Sequence, residues 1–151
     1  EWSKIPLARA IETLKLPLDG EPTATGMGNP HCTFFVPDAD ALDLETFGPK
    51  IENNSLFPER TNVQVAHVIS KDYLRVRVWE RGVGVTLASG SSSCAAAVAA
   101  TRLGITGQSI KIKLDGGLIF IDWRKDGVWM TGATLHVFSG IMTKQFLESL
   151  K

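Results

Sequence analysis

Three short polar clusters hold the residue types that could do chemistry. They are Gly28-Asn29-Pro30-His31, Phe57-Pro58-Glu59-Arg60-Thr61-Asn62-Val63, and Glu80-Arg81-Gly82 followed at a distance by Ser89-Gly90-Ser91. Such side chains can bind or react, and a planar guanidinium suits a carboxylate better than an ammonium would. Each cluster falls at the boundary of an expected element, where a rigid scaffold presents site residues. Singly, each also has an ordinary reading. Asn29 before Pro30 suits a turn, and His31 beside a phenylalanine strand suits a hydrogen-bonded structural histidine. Glu59-Arg60 and Glu80-Arg81 suit loop ion pairs of little worth, and Ser89 to Ser93 suit helix capping.

Two nucleophile readings fail on their own terms. A serine at a strand-to-helix turn suggests a hydrolase elbow, but Gly90-Ser91-Ser92-Ser93-Cys94 lacks the GxSxG frame. Cys94 falls about a turn into the helix, on its packed side, where a thiol behaves as a small hydrophobe. Cys32 and Cys94 have neither CxxC spacing nor the number for a disulfide scaffold, so a reducing, cytoplasmic setting is expected.

The element that must position these clusters runs from Trp79 to Gly104. It reads as a strand end, a glycine-rich turn and a helix over Ser92 to Gly104, with Ser91, Ser92 and Ser93 as capping hydroxyls. Ala95, Ala96, Ala97, Val98, Ala99 and Ala100 make it apolar on every face, which predicts a helix enclosed by other structure. Arg102 opposes the negative end of its dipole and Gly104 suits its stop. Its amino end, with free backbone N–H groups, is a natural place for an anion.

Around this helix the pattern is mostly β. Thr23 to Met27 and Cys32 to Val36 read as strands, and Asp43 as the N-cap of a short helix from about Leu44 to Asn53, interrupted at Gly48-Pro49. Val63, Val65 and His67 alternate with Gln64, Ala66 and Val68. Leu74, Val76 and Val78 alternate with Arg75, Arg77 and Trp79. Asp115-Gly116 and Asp126-Gly127 mark hairpins joining strands at Ile110–Leu114, Leu118–Trp123 and Val128–Thr131. A last strand is expected at Leu135–Phe138 and a short helix from Thr143. The opening stretch, with Ile5, Leu7, Ile11, Leu14 and Leu16 between Pro6 and Pro17, has no strong periodicity and suggests a fragment or processed chain. The fold class predicted is α+β, a mostly antiparallel sheet curled as a barrel around one central helix. Residues 1–151 form a single domain, since 151 residues with 44% hydrophobic content suffice for one core. Sixteen basic residues balance 16 acidic ones, so no nucleic-acid footprint is expected. No apolar run reaches the roughly 18 residues that cross a bilayer.

Taken together the clusters carry a resemblance. Met27-Gly28-Asn29-Pro30-His31-Cys32, Phe57 to Val63, Trp79-Glu80-Arg81-Gly82-Val83-Gly84 with Thr86-Leu87-Ala88, Gly116-Gly117 and Met130-Thr131-Gly132 resemble, in order and spacing, the C-terminal half of diaminopimelate epimerases. The likeness extends from about Trp2 to Gly140. It implies one of two similar lobes, each a barrel-like sheet around a helix. It also implies inversion of one stereocentre of LL-diaminopimelate to the meso form, in lysine and peptidoglycan precursor synthesis. The family does this with two cysteines on opposite lobes and with no cofactor or metal.

The resemblance assigns roles to residues of this chain. Asn29, Asn62 and Arg81 would hold the far end of the substrate, with Arg81 on its carboxylate and Glu80 on its ammonium. The N–H groups of Gly90 and Ser91 would bind the α-carboxylate. The family's catalytic cysteine falls at Ser89, and Cys94 matches a packing cysteine. A hydroxyl is a much weaker acid than a thiol, so the lone lobe is expected to be inactive or a relative needing one cysteine, such as a dehydratase. A proline or hydroxyproline racemase, or a phenazine-biosynthesis-type isomerase, fits Glu80-Arg81 poorly because a compact substrate has no far head to pair with. A non-catalytic amino-acid-binding or interaction domain is the alternative from another class. Expected partners are the amino-acid substrate and the missing N-terminal lobe, with a homodimer favoured by an exposed apolar cleft.

Overall fold

The computed structural model describes the backbone of Leu14–Lys15 and residues 19–150. The expectations for Ile5, Pro6, Leu7, Ile11, Leu16 and Pro17 lie outside the described residues. The chain begins with β1 (Leu14–Lys15), β2 (Thr23–Gly26), β3 (Pro30–Phe35), α1 (Leu44–Glu52), β4 (Asn62–Ser70) and β5 (Tyr73–Glu80). It continues through β6 (Gly84–Thr86), α2 (Gly90–Arg102), β7 (Ser109–Leu114), β8 (Gly117–Arg124), β9 (Gly127–Gly132) and α3 (Lys144–Glu148).

The strands form one sheet in the order β1-β2-β3-β4-β5-β7-β8-β9, with β6 paired to β5 off that path. The pairings are antiparallel except β3–β4 and β5–β7, which are parallel. Parallel neighbours need a crossover. Here the two crossovers carry the two longer helices, α1 after β3 and α2 after β5. α2 touches β2 and β3 near one end of the sheet and β8 and β9 at the other. A sheet that meets one helix with both of its ends must curl around it, as expected.

The alternation in β4 and β5 separates two buried faces, one for each helix. Ala66, Leu74, Val76 and Val78 pack with Ala96, Ala97 and Ala100 of α2, joined by Ile110, Ile112 and Ile121. Val63 and Val65 face the other way, with Cys32 and Phe34, onto Leu44 and Ile51 of α1. α2 thus sits in an apolar sleeve, with only small side chains of its own on the enclosed faces: Ala95, Ala96, Ala99 and Ala100 are each 0% exposed. The stop at Gly104 holds, with φ +71° and a bond from Gly104 N to Thr101 O of 3.1 Å.

Some expectations are corrected. α1 runs unbroken through Gly48-Pro49. Asp43 caps it by accepting from Glu45 N and Thr46 N at 3.2 Å, and Gly48 lets the Trp79 ring lie against its backbone. A Cβ there would meet ring atoms at 2.4 Å, so this glycine serves packing rather than interruption. Leu135–Phe138 is not a strand. Leu135 is 86% and Phe138 80% exposed, and the segment pairs with no described strand, the outer edge of β9 included. The closing helix does form, with Thr143 Oγ1 accepting from Phe146 N. Arg75 and Arg77, expected on one face, lie in an ionic cluster in which Arg75 pairs with Asp40 and Asp115.

Candidate active site

The concave face of the sheet turns polar where it meets the first turn of α2. Thr23, Thr25, His31, Thr33, Asn62 and Gln64 are all buried there. Buried polar groups of this density tend to satisfy one another; His31, Thr33, Asn62 and Gln64 do so along defined links, while Thr25 Oγ1 has no hydrogen-bond partner among the described residues.

His31 is the centre of one line. Gln64 Nε2 lies 3.0 Å from His31 Nδ1 and 3.0 Å from Ser92 Oγ, while Thr33 Oγ1 donates to Gln64 Oε1 at 3.2 Å. With the amide nitrogen facing Nδ1, that ring nitrogen accepts, so Nε2 carries the proton. Nε2 then donates to Asn29 Oδ1 at 2.9 Å. Burial first, and then the positive charge of Arg81, push the His31 pKa down to about 4, so the ring is neutral and fixed in this tautomer. The structural reading of His31 is the correct one. Its consequence is that the Asn29 amide is oriented with its NH2 bonded to no acceptor among the described residues.

A second line starts from the neighbouring peptide. Asn62 Nδ2 donates to Pro30 O at 3.0 Å, and Asn62 Oδ1 accepts from Arg81 N at 2.9 Å. Most of this side chain is therefore spent stitching the Asn29 turn to the Arg81 turn, leaving one N–H. Arg81 Nη1 donates to Glu59 O at 2.8 Å, and the rest of its fork is uncommitted to any described acceptor. The adjacent Glu80 accepts from Ser89 Oγ at 3.3 Å.

These links close on themselves, from Ser89 through Glu80, Arg81, Asn62, Pro30, Asn29, His31 and Gln64 to Ser92 in the first turn of α2. The structure therefore brings Asn29, Asn62, Glu80, Arg81, Ser89, Gly90 and Ser91 together around the amino end of one helix. It does not use the serines as caps. Ser92 takes the Gln64 bond, Ser93 Oγ donates to Ser89 O at 2.8 Å, and Ser89 occupies the N-cap position without a side-chain bond to the helix. Among the described residues no side chain accepts from the N–H groups of Gly90 and Ser91, the state that suits an anion. Met130 borders this tip: a Cβ on Gly90 would lie 3.2 Å from its Sδ and Cε.

Neither cysteine is poised as a base. Burial pushes Cys32 up to about 12 and Cys94 up to about 11. Among the described residues no group of three His, Cys, Asp or Glu could hold a metal ion, and no helix is long and apolar enough to cross a membrane.

Sequence reasoning missed Gln64 and Glu52. Gln64 sits in the β4 alternation, and its polar type at a core-facing position was the available signal. Glu52 accepts from Arg60 Nη1 at 3.0 Å, from Gly82 N at 2.9 Å and from Trp79 Nε1 at 2.7 Å. Arg60 thus pairs with Glu52 rather than with its neighbour Glu59.

Comparison with known proteins gives the family of the chain. The family model described as diaminopimelate epimerase matches residues 23–137. The chain is 50% identical to the diaminopimelate epimerase of Rhodospirillum centenum, over 97% of this chain and 52% of that protein. It is 49% identical to that of Erythrobacter litoralis, over 93% of this chain and 54% of the relative. The chain therefore spans about half the length of the curated relatives it matches. Among solved structures, a phenazine biosynthesis protein of the PhzF family from Enterococcus faecalis superposes with TM-score 0.50 at 12% identity. That match covers 64% of this chain and 35% of the other, a likeness of fold.

Proposed function

We propose that this chain, which belongs to the diaminopimelate epimerase family, is the lobe that grips both ends of LL-diaminopimelate during its cofactor-independent conversion to the meso form. The observation that carries this reading is the closed hydrogen-bonded circuit that sets Glu80-Arg81 beside Ser89 and the uncapped end of α2.

The chemistry follows from the difficulty of the step. An α-proton is a very weak acid, and its removal leaves an electron pair that the adjoining carboxylate must absorb. Oriented N–H donors in a water-poor site stabilise that charge as it develops, and Gly90 and Ser91 offer them. A base on one face takes the proton and an acid on the opposite face returns one, which inverts the centre. Arg81 reads the far carboxylate, and Asn29 donates its free NH2 beside it. Glu80 accepts one bond from Ser89 and keeps lone pairs for an ammonium.

Ser89 stands where the resemblance places a thiol. A hydroxyl exchanges protons with carbon poorly, and loss of a general acid–base group costs about 10²–10⁴ in rate. Alone, the chain binds substrate and turns it over negligibly. The remaining half of the curated relatives' length, the N-terminal one, would supply the opposite face. Exposed Val83, Leu87, Leu135, Val137, Phe138 and Ile141 are apolar surface for such a partner to bury. A cytoplasmic setting accompanies this reading.

Ser89 also favours a second reading, a lobe that binds the amino acid without reacting. Incubation with LL-diaminopimelate in deuterated water tests both. The expected result is calorimetric binding without α-deuterium incorporation by the chain alone, and incorporation once the N-terminal half of a relative is added. Binding without exchange in the mixture favours the second reading. Exchange by the lone chain at a full-length relative's rate would overturn the predicted inactivity, and absence of binding would overturn the site.

A further inference from the structure

Glu52 is a charged residue at the last position of α1, yet it is 5% exposed. A carboxylate is costly to bury unless hydrogen bonds replace its water. Three N–H donors do so, each from a different segment: Trp79 from β5, Arg60 from the loop before β4, and Gly82 from the turn after β5.

Two of these links act on the turn that carries Arg81. The turn closes through Val83 N to Glu80 O at 3.0 Å, and Gly82 holds the left-handed φ of +76°. The consecutive amides of Arg81 and Gly82 are taken by different acceptors, Asn62 Oδ1 and Glu52 Oε1. The Arg81 Cα is thus held from both sides. The Arg60 link draws the 57–61 loop to the same carboxylate, and that loop supplies the Glu59 carbonyl on which the Arg81 guanidinium rests. One carboxylate therefore fixes both the backbone that bears Arg81 and the surface that aims its fork.

We propose that Glu52 is the positioning residue for the Glu80-Arg81-Gly82 turn and that it sets the preference for a ligand with a charged far end. This rests on Arg81 reading that far end. Glutamine cannot replace it: three N–H groups converge on the two oxygens, so an amide NH2 in either orientation faces at least one donor.

Two ligands separate positioning from mere stabilisation: LL-diaminopimelate, and L-2-aminoheptanoate, which has the same carbon chain without the far head. Calorimetry on the full chain compares the wild type with Glu52→Gln and with Arg60→Gln, a variant at a side chain 53% exposed that leaves the core untouched. The wild type is expected to prefer LL-diaminopimelate. Glu52→Gln should lose about tenfold or more on that ligand and keep its affinity for aminoheptanoate. Arg60→Gln should show a smaller loss of the same selectivity. Equal losses on both ligands, or an unchanged preference in Arg60→Gln should Glu52→Gln not fold, overturn the proposal. If the wild type shows no preference, the reading of Arg81 fails instead. The Gly82 amide then decides the positioning role: faster hydrogen exchange in either variant supports it, and exchange at the wild-type rate in both overturns it.

Discussion

The hydroxyl of Ser89 donates to the carboxylate of Glu80 across 3.3 Å, joining the N-cap position of α2 to the last residue of β5. A side chain at position 89 therefore meets two opposed influences, the positive end of a helix and a neighbouring negative charge.

A thiol at this position can be made to report on them. Ser89→Cys should give a cysteine that alkylates faster than Cys32 and Cys94, since the helix N-terminus lowers its thiol pKa against the opposing charge of Glu80. Cys32 and Cys94, pushed up to about 12 and about 11 by burial, should stay unmodified in the folded chain. Mass spectrometry after brief iodoacetamide treatment should show one adduct in the variant and none in the wild type. An adduct on Cys94, which is partly exposed, would contradict its raised pKa.

His31 makes stability depend on pH with a definite sign. Its pKa is about 4 in the folded chain against 6.5 for the free side chain, so between these values the unfolded state binds more protons. Stability then rises with pH across this window, levels off above it, and is lost as pH falls from about 6.5 towards 4. For a residue 1% exposed the full effect is about 3 kcal/mol. Urea midpoints at several pH values should show this slope, and His31→Gln should flatten it relative to the wild type.

The parts of this molecule legible from sequence were those written in local periodicity. The alanine run declares an enclosed helix because alanine joins high helix propensity to a side chain small enough for a sheet to approach on every side. The β4 and β5 alternation marks two faces, although it hides that both are buried. What could not be read depends on partners distant along the chain. The parallel pairing of β3 with β4 is invisible until α1 is seen to cross between them. Glu52 lies 30 residues before Gly82, and nothing near it in sequence signals that link. Leu135–Phe138 alternates like a strand, but alternation alone does not dock a segment on a sheet edge.

Gly48 links packing to the site. Because a Cβ would fall 2.4 Å from the Trp79 ring, Gly48→Ala must push the indole away from α1. Overpacking of this kind costs about 1–3 kcal/mol, and here it also loosens the 2.7 Å bond from Trp79 to Glu52. A lowered thermal midpoint together with a displaced Trp79 indole N–H resonance is the expected signature. A midpoint equal to the wild type's would show that the ring moves at no cost.

Arg81→Lys tests the far-end contact most directly. The lysine ammonium keeps the charge and nearly the reach, so any long-range attraction for an anion survives. What it loses is the planar fork, which can rest on the Glu59 carbonyl through one N–H while presenting others to a carboxylate. A lysine that bonds Glu59 O has no fixed geometry left for a bidentate partner. The Asn62 bond to the backbone N–H of residue 81 is indifferent to the side chain, so the turn itself should persist. The expected outcome is an unchanged thermal midpoint and an affinity for LL-diaminopimelate reduced about tenfold or more, with L-2-aminoheptanoate unaffected. Calorimetry with both ligands checks it, and a lysine variant that binds LL-diaminopimelate as the wild type does would mean that Arg81 supplies charge alone.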